Sequence, residues 1–171
     1  MHSVMFRAFD EICRRRAAGG AVLEVGATPT GDSLLFLPAL APAPRRVGIN
    51  LDGPHRYRDV DIVKGDANAM TCFRDAEFDT VLCNATLEHD ARFWLTLAEI
   101  RRVVRPGGLI VYGVPGFATL ASDTWVRRLR LIPGLCRCLG VPRSALQVST
   151  LTFHVHNHPG DYYRFSPQAV R

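Results

Sequence analysis

The sequence predicts an α/β fold built on a mostly parallel central sheet with helices on both faces. Two observations predict it. Five short apolar runs recur between residues 21 and 114, rich in Val, Leu and Ile as strands buried on both faces are. Helical patterns alternate with them at the spacing of strand–helix–strand units.

The elements follow in chain order. In residues 4–18, Val4, Phe6, Phe9, Ile12 and Cys13 recur at helical spacing. Arg14, Arg15 and Arg16 suit the negative end of that helix's dipole, and Gly19–Gly20 stops it. AVLEVG (21–26) is the first strand and TGDSLLFLPAL (30–40) reads as a helix, after which Pro42 and Pro44 punctuate the chain. RRVGIN (45–50), VDIVKG (60–65), FDTVLCN (78–84) and GLIVYGV (108–114) are the remaining strands. Between the last two, ARFWLTLAEIRRVV (91–104) repeats Phe93, Leu97, Ile100 and Val104 at intervals of three and four, an amphipathic helix facing a sheet. RPGG (105–108) ends it.

After Val114 the character changes. Residues 116–140 read as short basic helices interrupted by Pro133 and Gly134, and VSTLTFHVH (148–156) alternates as a half-buried strand does. Ser166 and Pro167 then suit the first turn of a helix, and the chain stops there, so the sheet is expected to lack its last strands. The organisation expected is one domain over 1–171. It comprises an N-terminal helix (1–19), an α/β core (20–114) and a basic cap with a C-terminal segment (115–171).

Composition excludes several classes. With 171 residues, 47% hydrophobic and 22% charged, the chain can build one ordinary core and is neither fibrous nor disordered. No stretch approaches the roughly 18 apolar residues that span a bilayer. The N-terminus lacks the apolar centre of a secretory signal. Cys13, Cys72, Cys83, Cys136 and Cys138 are odd in number and scattered, which suits a reducing, cytoplasmic setting rather than a disulfide framework. Residues 1–114 hold equal numbers of basic and acidic residues; the net charge of +5 comes from residues 115–171. Lys64 is the only lysine, which removes mechanisms that need one elsewhere.

In an open parallel sheet a ligand sits beyond the carboxyl ends of the strands, where strand order reverses. The residues there are Glu24 to Gly31, Asn50 to Asp52, Asp66–Ala67 and Asn84 to Asp90. Gly26 and Gly31 allow a turn and a close approach to a ligand.

These segments carry a resemblance. VLEVGATPTG, VGINLDG, GDANAM, FDTVLCNATLEHD and EIRRVVRPGGLIVYGVPG closely resemble the class I S-adenosylmethionine-dependent methyltransferases, in particular the small domains with an LEH after the fourth strand and an RPGG before the fifth. HNHPGDYYRFSPQAVR is similar to the aromatic segment that leads into their last helix. The resemblance covers roughly residues 20–171 and implies a Rossmann-like three-layer sandwich with S-adenosyl-L-methionine as cofactor. It implies that Glu24 and Gly26, with Thr28 and Gly31 in the same loop, shape the pocket around the methionine part. Asn50 stands where the family usually has an acid gripping both ribose hydroxyls, and Asp52 could serve in its place. Asp66 would take the adenine amino group and Ala67 would give its N–H to the ring. Asn84 and Ala85 would line the sulfonium, and Leu87, Glu88 and His89 would lead toward the acceptor.

Two positions depart from the family pattern. Thr28 stands where the loop normally has glycine, followed by Pro29 and Thr30 before Gly31, and Asn50 replaces the acid. Proline offers no N–H, and an amide lacks the charge assistance of a carboxylate. The reaction expected is methyl transfer by in-line displacement, in which alignment is the main contribution of the protein. A general base is needed only for a protonated acceptor, with His89 and His154 as candidates and His156 and His158 behind them. HVHNHPGD (154–161) offers alternating histidines, but Asn157, Pro159 and Gly160 break the strand that would align them, so no metal is expected. Trp125, Tyr162, Tyr163 and Phe165 would close the cap.

A nicotinamide oxidoreductase shares the sheet, but its glycine triplet is absent, and Val60 stands where a short-chain type needs a tyrosine before Lys64. A phosphate-binding loop fails for want of a lysine after its glycines. A small organic acceptor is favoured over RNA, because no aromatic platform interleaves with the arginine runs. The alternative from another class is a methyltransferase-like subunit that binds or supports without catalysing.

Overall fold

Apolar alternation sorts each central strand between two cores. In the computed structural model, which describes residues 3–116 and 160–170, the chain runs α1 (Ser3–Arg15), β1 (Ala21–Val25), β2 (Arg45–Asn50), β3 (His55–Tyr57), β4 (Val60–Lys64), β5 (Phe78–Asn84), α2 (Phe93–Val103) and β6 (Val104–Gly113). Leu23 and Val25 of β1 and Val81 and Cys83 of β5 turn to one face, where Ile100 and Val103 of α2 cover them. Val22, just before Leu23, and Leu82, between Val81 and Cys83, turn to the other face, against Phe9 and Cys13 of α1. The result is a three-layer α/β sandwich.

The strand order is β3-β4-β2-β1-β5-β6, parallel throughout except for the antiparallel β3–β4 pair. From β1 the chain builds outward through β2 to β4, then returns to β5 on β1's other side. Strand order therefore reverses at β1, and a crevice is expected beyond its carboxyl end.

Three expectations need correction. The helix read over 30–40 is two single 3₁₀ turns, Leu34–Phe36 and Pro38–Leu40. Pro38 is the cause: it offers no N–H, and it forces Leu37 before it into an extended conformation with ψ 132°. Leu34, Leu35, Leu37 and Leu40 are still buried, so the apolar pattern reported packing rather than helix. Second, RPGG does not lie between the helix and the strand: β6 begins at Val104 and carries RPGG within it, with a register shift opposite Phe78–Thr80. Third, the sheet has an unexpected antiparallel edge strand. Its hairpin turns through Arg58, whose φ is 55°.

The expected basic helices of 116–140 and the histidine-bearing strand of 148–156 lie outside the described residues, apart from Gly116. Residues 160–165 return to the sheet end. Phe165 N donates to Pro115 O at 2.9 Å, and the Phe165 ring packs edge-on against Phe93.

Candidate functional site

The loops at the carboxyl ends of β1, β2, β4 and β5 enclose a cleft of about 530 Å³, within the size range of small-molecule sites. Gly26 and Thr28 follow β1; Ile49, Asn50 and Leu51 close β2; Gly65 to Asn68 follow β4. Ala85, Thr86 and His89 to Arg92 follow β5, with Thr96 of α2 and Tyr162 completing the wall.

Each loop is held by identifiable contacts. Gly26 has φ 79°, and Gly26 N and Ala27 N both donate to Ile49 O, at 2.9 and 3.2 Å, bending the first loop back onto β2. A Cβ on Gly26 would collide with Thr86 Oγ1, so both the backbone angle and the space require glycine. Asn50 spends its amide on the protein: Nδ2 donates to Ala27 O at 2.7 Å, and Oδ1 accepts Asp52 N at 3.1 Å. Ala85 takes φ 51°, a left-handed conformation uncommon for a non-glycine residue, and its N donates to Gly113 O at 3.0 Å.

On the β4 side, Asp66 is exposed, and its Oδ1 accepts Asn68 N at 2.8 Å. Among the described residues nothing pairs with Asp66 Oδ2 or with the adjacent Ala67 N–H. The cleft wall thus presents one acceptor and one donor side by side. Leu51, 64% exposed, adds an apolar surface to the same wall. At the β5 side, His89 Nδ1 bonds Gly160 O. A carbonyl can only accept, so Nδ1 carries the hydrogen of this contact, while Nε2 faces Glu88 Oε1 at 4.0 Å. Glu88 next to it is buried, its Oε2 has no partner among the described residues, and burial pushes its carboxyl up.

Residues 39–112 match the family model described as a methyltransferase domain. The chain is 36% identical over 105 residues to phthiotriol/phenolphthiotriol dimycocerosates methyltransferase 1 of Mycobacterium ulcerans, covering 56% of this chain and 37% of that protein. It is 34% identical over 101 residues to the fatty-acid O-methyltransferase of Mycolicibacterium smegmatis, covering 55% and 36%. A putative methyltransferase of Bacillus halodurans shares the fold, with a TM-score of 0.52 at 21% identity, over 76% of this chain and 58% of that one. Over residues 39–112 and in its fold the chain is similar to the class I S-adenosylmethionine-dependent methyltransferases. It spans a little over a third of the length of the curated relatives it matches.

The cofactor of this methyltransferase family is S-adenosylmethionine, and the cleft fits it in kind. An adenine edge carries an amino donor beside a ring-nitrogen acceptor, the complement of Asp66 Oδ2 and Ala67 N–H. The ribose side fits less well: with Nδ2 committed to Ala27, Asn50 can offer a hydroxyl only the second lone pair of Oδ1.

Of the residues singled out in the sequence, Gly26, Thr28, Asn50, Asp66, Ala67, Ala85 and His89 meet at the cleft. Thr28 stays exposed at its edge, and Pro29 does not line it. Four others do not line it. Glu24 is buried behind the loop, where its carboxylate accepts from Ser33 Oγ and Leu34 N, and burial pushes its pKa up. Gly31 lies exposed outside the cleft, while Asn84 Oδ1 turns toward Gly113. Asp52 leans out to His55 Nε2 at 3.2 Å. His154 lies outside the described residues.

Thr86 and Asp90 fall in the strand-end stretch Asn84 to Asp90 but were given no role there by sequence reasoning, and Asn68 and Thr96 were not singled out at all. Asn68 and Thr96 are 28 residues apart and meet only through the fold; no local spacing signals the pair.

Proposed function

We propose that this chain binds S-adenosylmethionine in the strand-end cleft and transfers its methyl group to a small organic or lipid acceptor. The observation that carries this reading is the unspent acceptor–donor pair of Asp66 Oδ2 and Ala67 N–H beside the apolar face of Leu51. When bound, the cofactor supplies a methyl group already activated by its positive sulfur. The chain's own work is then alignment. Asp66 and Ala67 hold the purine, Asn50 Oδ1 accepts one ribose hydroxyl, and the bend at Gly26 leaves room for the methionine end. Ala85, His89 and Tyr162 border the acceptor's approach.

His89 Nε2 can take a proton from a hydroxyl or ammonium acceptor, since Gly160 keeps the other ring nitrogen protonated. A carboxylate acceptor would need no such base. The mycobacterial relatives, a fatty-acid O-methyltransferase and a phthiotriol/phenolphthiotriol dimycocerosates methyltransferase, support an apolar acceptor. Tyr162, 59% exposed at the cleft, offers an aromatic surface for one.

A second reading, a methyltransferase-like subunit that does not catalyse, draws support from the committed amide of Asn50 and from the 3₁₀ turns after β1. The two are separated by incubating the chain with methyl-labelled S-adenosylmethionine and a set of fatty acids, long-chain alcohols, phenols and a transfer RNA. Label in an organic-extractable product supports the enzyme. Cofactor binding without transfer to any acceptor supports the non-catalytic subunit, and label in the RNA overturns the small-acceptor reading.

A further inference from the structure

Asp66 and Ala67 sit on a segment with no regular structure, so something must hold them at the height of a ligand. Gly65 N is tied to Asn50 O at 2.9 Å, and Met70 N to Glu99 Oε2 at 2.6 Å. Between these anchors lies Asn68, whose side chain reaches across the cleft wall. Its Nδ2 donates to Asp90 Oδ2 at 2.6 Å and to Thr96 Oγ1 at 2.9 Å. Thr96 Oγ1 donates a hydrogen bond to the same Asp90 oxygen at 2.7 Å. Asp90 Oδ1 is left for Arg92 N, at 2.8 Å, at the start of α2.

We propose that Asn68, Asp90 and Thr96 are positioning residues, a clasp that sets the Asp66–Ala67 edge for purine recognition. The inference rests on the cofactor reading above and adds which residues make that edge rigid. Two features separate the clasp from an ordinary helix cap. The bond from Arg92 N at the start of α2 uses only Asp90 Oδ1, yet Oδ2 takes two further bonds, one from Thr96 on α2 and one from Asn68 in the loop after β4. Asn68 also works at both ends: its side chain is gripped by Asp90 and Thr96, while its backbone N–H holds Asp66 Oδ1 and leaves Oδ2 to the ligand. Thr96 is fully buried, so its hydroxyl has no water to fall back on when the clasp is cut.

The test is titration calorimetry of the whole chain with S-adenosylhomocysteine and with its 6-oxopurine analogue, alongside urea denaturation of each variant. Asn68→Asp sets two carboxylates against each other and should weaken S-adenosylhomocysteine binding about tenfold, the equivalent of one lost hydrogen bond. It should also narrow the preference for adenine over the oxo analogue. Asn68→Asp combined with Asp90→Asn exchanges donor and acceptor, re-forms the pair and should restore both affinity and preference. Asn68→Ala, which introduces no repulsion, serves if the charged variant does not fold. If folded variants lose stability but keep wild-type affinity and preference, the clasp is merely structural and the inference is overturned. A wild-type chain that binds neither compound overturns the cofactor reading itself, and the clasp with it.

Discussion

Replacing Asn50 by aspartate separates what the family resemblance suggests from what the structure requires. An acid is usual at this position, so resemblance alone predicts a gain in ribose contact. The structure predicts a loss. Asn50 Nδ2 is the donor that fastens Ala27 O, 2.7 Å away, and with it the first loop. Asn50→Asp removes that donor and places a charged acceptor against the carbonyl. A lost hydrogen bond plus a partly buried carbonyl left unpaired costs about 2 kcal/mol. In a domain of this size that corresponds to a fall in Tm of about 4–8 °C. The charge-assisted ribose bond would return about 1 kcal/mol in the complex, but only if the unfastened loop keeps its shape. Asn50→Asp should therefore unfold earlier in thermal and urea denaturation, without tighter binding of S-adenosylhomocysteine by calorimetry. A variant as stable as wild type that binds more tightly would refute the fastening role of the amide.

Three further outcomes follow from the same geometry. Asp66→Ala should leave the fold intact and weaken S-adenosylhomocysteine binding by about 10–100-fold, the scale of a charge-assisted bond; unchanged affinity in calorimetry would remove Asp66 from the site. Burial raises the folded pKa of Glu24, so its protonation favours the fold: that contribution is complete below the ordinary glutamate range and is lost as pH rises through the raised value. Glu24→Gln does not titrate, so wild type should gain stability relative to it as pH falls in a denaturation series; a constant difference would contradict this. Gly26→Ala should cost about 1–2 kcal/mol for the left-handed backbone alone, plus the collision with Thr86. Adding Thr86→Ala should recover the second part only, and full recovery in denaturation would show that the backbone angle is unimportant.

The sheet was legible because its strands are short, apolar and bounded by breakers: β2 and β5 fall at the residues that their runs mark out. The helix at 30–40 was not, because a buried apolar run looks alike in a helix and in 3₁₀ turns until Pro38 is weighed. β3 went unseen because His55, Arg56 and Tyr57 carry no alternation; only pairing with β4 makes them a strand. At the site, Gly26, Asp66 and His89 could be placed because strand ends fix where loops converge. The inward turn of Glu24, the outward lean of Asp52 and the fastening by Asn50 could not, since each depends on a partner chosen by three-dimensional packing. The Asn68–Asp90–Thr96 contacts are of the same kind.

The central claim is that the cleft bounded by Gly26, Asn50, Asp66 and Ala85 is a working S-adenosylmethionine site. Titration calorimetry of the chain with S-adenosylhomocysteine, repeated in the presence of excess S-adenosylmethionine, tests it most directly. The account predicts saturable binding at one site, suppressed by the competing cofactor. A chain that is folded by circular dichroism yet gives no binding heat for either compound at several temperatures would contradict it.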